Sequence, residues 1–185
     1  ENVLQKFKMY CNVPIVSLES ATLHPLQSLA DVITIREEWK EKRKPKVVLT
    51  WAPHIKPLPQ AVSFSLRERM CQADVDFTIT HPSEYDLNTK FTNGAKISYD
   101  QQEALQNADF IYVKNWSAYK DYGKILCTDS SWMLTNEKLK ITNNAKVMHC
   151  LPVRRNVELS DEILDGANAL VQKQAFNRLF SAQAV

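Results

Sequence analysis

Lys146-Val147-Met148-His149-Cys150-Leu151-Pro152-Val153-Arg154-Arg155-Asn156 runs a short apolar stretch into a thiol, a proline and two adjacent arginines. Residues 146–149 read as a buried strand, and the chemistry begins where that strand stops. In an open parallel α/β sheet, ligands sit just beyond the carboxyl ends of strands. Two guanidinium groups at such an end point to an anionic ligand, because arginine matches carboxylate and phosphate with paired hydrogen bonds. Taken alone, a free cysteine is more often a small buried hydrophobe, and arginines after it are more often solvated. The pattern gains meaning only if other strands end the same way.

Two others do. Residues 46–51 (KVVLTW) form a β-branched strand signal, and the proline-rich loop 52–59 after it carries His54. Residues 109–114 (DFIYVK) form another, ending in Lys114-Asn115-Trp116. Further strands are expected at 13–18, 76–80, 96–99 and 169–171. Helices are expected at 3–11, from His24 to about Trp39, and at 60–71, 100–107, 132–143, 160–165 and from Gln174 onward. Thr22 is the expected cap of the second helix, with Pro25 in its first turn, where a missing N–H does no harm. Strands alternating with helices predict an α/β fold, a mainly parallel sheet with helices on both faces. In such a sheet His54, Lys114, Cys150 and Arg154 share one rim.

Composition narrows the function. An apolar fraction of 44% and a charged fraction of 24% over 185 residues describe a globular protein. A net charge of +2 with no basic stripe argues against nucleic acid, and no apolar run reaches membrane-spanning length. Cysteines 11, 71, 127 and 150 are scattered, without a Cys-x-x-Cys pair, which argues against zinc and favours a reducing cytoplasm. With only three glycines there is neither a GxGxxG fingerprint nor a P-loop. No HExxH or Gly-x-Ser-x-Gly occurs, and no acid is obviously spaced to serve His149. No cofactor or metal is expected.

Other donors could join the rim. His24 and Gln27 stand three apart at a helix start, where both can face a ligand at the positive end of the dipole; a capping cluster is the plainer alternative. Glu19, after the expected 13–18 strand, could orient a cation or bind an amine. Asn177-Arg178, placed at the opening of the last helix, adds a further cation. Such a set suits a phosphate-type leaving group and a carboxylate-bearing acceptor.

These residues also carry a family likeness. His149-Cys150-Leu151-Pro152 with His24-Pro25-Leu26-Gln27 resembles the ornithine transcarbamylase group. Glu19-Ser-Ala-Thr-Leu-His-Pro-Leu-Gln, Thr50-Trp-Ala-Pro-His54, Val113-Lys-Asn-Trp and Leu151-Pro-Val-Arg-Arg-Asn resemble its N-acylornithine branch, the N-acetyl- and N-succinylornithine carbamoyltransferases. The likeness runs in order over nearly the whole chain. It implies carbamoyl transfer from carbamoyl phosphate to the side-chain amine of an N-acylated ornithine, in arginine biosynthesis. By the same resemblance His24, Pro25, Leu26, Gln27, Cys150, Leu151 and Arg178 would bind carbamoyl phosphate, with His24 polarising the carbamoyl oxygen. Gln27 and the Leu151 carbonyl would hold the carbamoyl amino group, and Cys150 would sit beside the attacking amine, either as acceptor of its proton or only as its neighbour. Glu19, His54, Lys114 and Arg154 would hold the acylated amino acid.

Lys114 separates the branches. Ordinary ornithine enzymes carry an Asp and a Ser-Met-Gly loop for the free α-ammonium group, whereas a lysine has no acceptor and repels a like charge. Acylation removes that charge. The resemblance divides the chain into 1–37, the end of a carbamoyl-phosphate domain with its linking helix; 38–175, the acylornithine-binding domain; and 176–185, the start of a C-terminal helix. No Ser-x-Arg-Thr phosphate loop is present, so a fragment of a homotrimeric enzyme, inactive alone, is expected. The alternatives are a non-catalytic paralogue that keeps the acceptor pocket, or an ordinary ornithine carbamoyltransferase. Glu158 has no role assigned by the sequence.

Overall fold

The computed structural model describes residues 2–89, 92 and 94–185. Five parallel strands, β1 (Lys46–Trp51), β2 (Asp76–Thr80), β3 (Lys96–Ser98), β4 (Phe110–Lys114) and β5 (Lys146–Met148), form one sheet in the order β3-β2-β1-β4-β5. Register is set by pairs such as Val47↔Phe77, Val47↔Phe110 and Ile111↔Val147. The helices are α1 (Asn2–Tyr10), α2 (Pro25–Glu38), α3 (Ala61–Gln72), α4 (Gln101–Leu105), α5 (Asn136–Leu139), α6 (Asp161–Leu164) and α7 (Val171–Gln183), with 3-10 turns at Ser83–Tyr85 and Ser130–Trp132.

Strand residues alternate between two cores because successive side chains leave opposite faces of a pleated strand. Val47, Leu49 and Trp51 of β1 join Phe110 and Tyr112 of β4 in one cluster, with Ile35 of α2 and Phe64, Leu66 and Met70 of α3. Val48, Ile111, Val113 and Val147 pack the other way, with Leu105, Leu134, Leu159 and Ile163. Both faces are dry, as a parallel sheet requires. The sheet order reverses at β1: β2 lies on one side and β4 on the other. A crevice opens beyond the carboxyl ends at such a switch point.

Five expectations are corrected. Residues 13–18 form no strand: a strand needs a ladder partner for its backbone groups, none is alongside, and Val13, Val16 and Leu18 are exposed. Residues 169–171 make only a bridge, Val147↔Ala169, because α7 starts at Val171 and consumes the segment. Asn177 and Arg178 consequently lie within α7 rather than at its opening. Residues 132–143 are mostly non-helical: Lys138 Nζ is drawn onto the carbonyls of Ser131 and Met133, and the Leu134 amide donates to Glu158 O, leaving only α5 as α-helix. Finally, His24 rather than Thr22 is the N-cap of α2, without a side-chain cap, while Ser20 Oγ accepts from the Thr22 and Leu23 amides.

Candidate active site

The turn after β5 is held from behind. His149 is buried, and its Nδ1 accepts from the Leu151 amide at 2.9 Å, so the ring proton must sit on Nε2. That N–H faces Glu158 Oε1 at 3.3 Å, while Glu158 Oε2 accepts from the Arg154 amide at 3.0 Å. Burial pushes the His149 pKa down, against the pull of Glu158, which favours the neutral ring. Burial pushes Glu158 up, but the His149 hydrogen bond and charge and the Arg154 amide outweigh it, and its pKa is lowered. The sequence showed no acid for His149; the structure supplies one, nine residues on, because 154–159 folds back. Leu151 takes a left-handed φ of 56°, a conformation costly for a side chain with a Cβ, and the bond to His149 secures it.

Beyond this turn lies a cleft of about 590 Å³ that collects eight of the expected residues: Glu19, His24, His54, Lys114, Cys150, Leu151, Arg154 and Arg178. They come from five separate parts of the chain. Arg154 Nε donates to His54 Nε2 at 3.2 Å, and His54 Nδ1 lies 2.8 Å from the Lys56 carbonyl and 3.0 Å from the Lys56 amide. Lys114, the last residue of β4, is only 7% exposed. Among the described residues its ammonium has no hydrogen bond or ion pair. Its charge helps to lower the Glu158 pKa but touches no carboxylate, so an anionic ligand can supply the direct partner this position lacks. Arg155, by contrast, turns away and pairs with Asp161 and Asp165. The two adjacent arginines are therefore not a pair of ligand groups; only Arg154 faces the cleft.

His24 enters from the start of α2. Its amide donates to Ser65 Oγ of α3 at 2.6 Å, and its Nε2 stands 3.8 Å from Glu19 Oε2. Burial lowers its pKa, Glu19 raises it and Arg178 lowers it further, leaving a net decrease and a neutral ring near pH 7. Cys150 is pushed up by burial, with Lys114 acting the other way, so the thiol rather than the thiolate is its neutral-pH form.

Pro25, Leu26 and Gln27 do not line the cleft. Pro25 occupies the first turn of α2, Leu26 packs into the interior, and Gln27 lies one layer behind, where its Oε1 accepts from Arg178 Nη1 at 2.6 Å. Three residues that sequence reasoning passed over complete this layer: Asp31, Gln174 and Tyr112, all with no measurable exposure. The i, i+4 spacing of Gln27 and Asp31 was the available signal. Among the described residues, no three His, Cys, Asp or Glu side chains are grouped to hold a metal ion.

The arrangement offers a neutral imidazole, an unpaired ammonium and two guanidinium groups around one thiol, which suits anion binding and carbonyl polarisation. Comparison with known proteins agrees. Residues 60–185 match the aspartate/ornithine carbamoyltransferase family, Asp/Orn binding domain. The chain is 50% identical to an N-succinylornithine carbamoyltransferase of Bacteroides thetaiotaomicron, over 100% of this chain and 58% of that protein. It is 33% identical to an N-acetylornithine carbamoyltransferase of Xylella fastidiosa, over 99% of this chain and 60% of that one. A crystal structure of N-acetyl-L-ornithine transcarbamylase superposes with a TM-score of 0.90 at 32% identity, covering 98% of this chain and 61% of the other. A mutant of that enzyme, complexed with carbamyl phosphate and N-succinyl-L-norvaline, gives 0.91 at 31% identity, over 98% and 60%. The chain thus spans about three fifths of these relatives, and by its matched domain, its five-stranded parallel sheet and its strand-end motifs it belongs to the aspartate/ornithine carbamoyltransferase family.

Proposed function

We propose that this chain is the acceptor-binding part of an N-acylornithine carbamoyltransferase, which moves a carbamoyl group from carbamoyl phosphate to the side-chain amine of N-succinylornithine. The observation that carries this reading is Lys114: a nearly buried ammonium, unpaired among the described residues, at the end of β4. It suits the carboxylate of an acylated amino acid and repels the free α-ammonium of ornithine. Arg154, His54 and Glu19 complete the acceptor side. Succinyl is favoured over acetyl by the greater identity to the succinyl-named relative, 50% against 33%.

In the reaction the amine nitrogen attacks the carbamoyl carbon, the carbon–oxygen bond to phosphate breaks, and phosphate leaves with the bonding pair. Neutral His24 donates to the carbonyl oxygen as charge builds there. The Leu151 carbonyl accepts from the carbamoyl amino group, Arg178 turns to the phosphate side, and Gln27 Oε1, which Arg178 holds behind the cleft in the empty site, is then free to accept as well. The amine must shed a proton. A Cys150 thiol raised by burial already holds its own, so it is the amine's neighbour and the proton passes to the departing phosphate. A cytoplasmic homotrimer in arginine biosynthesis belongs to the same proposal, supported by four free cysteines and by the family resemblance. Exposed Phe176, Leu179 and Phe180 on α7 fit a surface covered by further protein.

The test is a rate comparison with the full-length protein on N-succinylornithine, N-acetylornithine and ornithine. Carbamoylation is expected in that order, with ornithine nearly inert; ornithine turning over as fast as the acylated substrates would refute the proposal.

A further inference from the structure

Two glutamine side chains meet on one carboxyl oxygen. Asp31 Oδ1 accepts from Gln27 Nε2 at 2.8 Å and from Gln174 Nε2 at 2.7 Å. Neither amide is free to be reversed. The far side of Gln27 faces Arg178 Nη1 at 2.6 Å, and a guanidinium has only donors, so the oxygen end must point there. The far side of Gln174 faces the His149 amide at 2.9 Å, again a pure donor. Asp31 therefore receives the nitrogen end of both. Through these bonds it joins α2, α7 and the residue that follows β5, three elements that meet behind the cleft. The carboxyl has no measurable exposure and, among the described residues, no ion-pair partner in contact; burial raises its pKa to about 7, against a smaller pull from Arg178. Its second oxygen and the neighbouring Tyr112 hydroxyl are buried and make no hydrogen bond of standard geometry among the described residues, although Tyr112 is close enough to lower the Asp31 pKa. A carboxyl kept there is costly, and an alanine or leucine would pack the same position more simply.

The chemistry of the amides shows what the carboxyl does for the site. When Arg178 turns to an anion in the cleft, its hold on Gln27 Oε1 is released. Asp31 is then the group that keeps Gln27 Nε2 turned inward and Oε1 turned outward. An outward oxygen accepts from an amino group and offers nothing to a methyl group. We propose that Asp31 is a positioning residue that fixes Gln27 oxygen-outward, so that the site selects a carbamoyl group over the isosteric acetyl group. The inference rests on the proposed function, in which Gln27 meets the carbamoyl amino group.

The experiment measures the affinities of carbamoyl phosphate, acetyl phosphate and inorganic phosphate for the full-length protein and for Asp31→Ala and Asp31→Asn. Wild type is expected to prefer carbamoyl over acetyl phosphate. Asp31→Ala should cut that preference tenfold or more while leaving inorganic phosphate affinity unchanged. Asp31→Asn keeps an oxygen for both amides and should retain most of the preference. Asp31→Ser, too short to reach both amides, replaces the alanine variant if that fails to fold, with the same loss expected. A preference unchanged in the Ala or Ser variant, or an equal loss for all three ligands, overturns the inference and leaves the proposed function standing. Failure of the wild-type protein to bind carbamoyl phosphate removes the parent reading, and this inference with it.

Discussion

Strand β4 has a buried charge at each end, and the two are treated oppositely. Asp109, just before the strand, is 4% exposed, and both oxygens are satisfied: Arg43 grips them at 2.7 Å each, the Lys46 amide donates at 2.8 Å and Asn143 Nδ2 at 2.7 Å. Lys114, the last residue of the strand, is 7% exposed and has no partner among the described residues. The difference is in how much partnering the fold provides. At the amino end of the sheet the protein completes its own electrostatics, and at the carboxyl end it leaves one charge incomplete. A ligand can contribute binding energy where partners are missing, and only there.

Asp109→Ala should produce the largest effect, and it should fall on stability. Removing the carboxylate strands the Lys46 amide and Asn143 and takes the main partner from Arg43. A loss of about 2–4 kcal/mol is expected by urea denaturation, with acceptor KM unchanged in the folded enzyme. Asp109 also sets a pH dependence. Burial raises its pKa, but Arg43, the Lys46 amide and Asn143 outweigh that and lower it, so its contribution is present above the ordinary Asp range and lost as pH falls through the folded value.

Lys114→Met should do the reverse. Acceptor KM is expected to rise about a hundredfold, or about 2.7 kcal/mol, with carbamoyl phosphate affinity unchanged. Tm should change little, because the lysine has no direct partner to lose and only its longer-range pull on Glu158 is removed. Equal losses for both substrates, or a drop in Tm as large as that of Asp109→Ala, would remove the contrast between the two ends.

Glu158 asks whether position or completeness decides, since it lies at the ligand end yet is fully partnered by His149 and the Arg154 amide. Glu158→Gln is expected to cost about 1–2 kcal/mol of stability and to raise acceptor KM only a few-fold, through the loosened Arg154 backbone. Both members of the pair have lowered pKa values. His149 stabilises above the ordinary histidine value and Glu158 above the ordinary Glu value, each lost as pH falls through its folded value. Wild type should therefore lose stability on acidification. In the variant the Glu158 part of that loss disappears, while His149, without the carboxylate that raises its pKa, loses more just below the ordinary histidine value. The acid limb in denaturation midpoints should then begin at higher pH. Asp31 works in the opposite sense: its pKa is raised to about 7, so its contribution is present at low pH and lost as pH rises through that value.

The sequence made the layered part legible. The 46–51 and 76–80 strands were placed to the residue, because β-branched runs buried on both faces leave little ambiguity. The rim was legible too, since parallel strands bring their ends together: eight of the expected residues share one cleft. What stayed hidden depends on contacts between distant segments. Whether 13–18 is a strand depends on a neighbour to pair with, and no local pattern records that. Glu158 could not be matched to His149 until the 154–159 turn closed, and Asp31 and Gln174 stand 143 residues apart. Arg154 and Arg155 looked alike for the same reason.

Those two arginines give the smallest test, and the most economical, because the residues are adjacent and chemically identical. Arg155 is exposed and gripped by Asp161 at the start of α6 and Asp165 just past its end, outside the cleft. Arg154 faces His54 across the cleft with its guanidinium largely uncommitted. Arg154→Ala should raise acceptor KM about tenfold, since a rim cation partly open to water gives less than a buried one. Arg155→Ala should leave KM unchanged and Tm nearly so, because exposed ion pairs contribute little. If the two variants raise acceptor KM equally, missing partners are not what marks the ligand-binding charges, and the distinction between the ends of β4 loses its functional meaning.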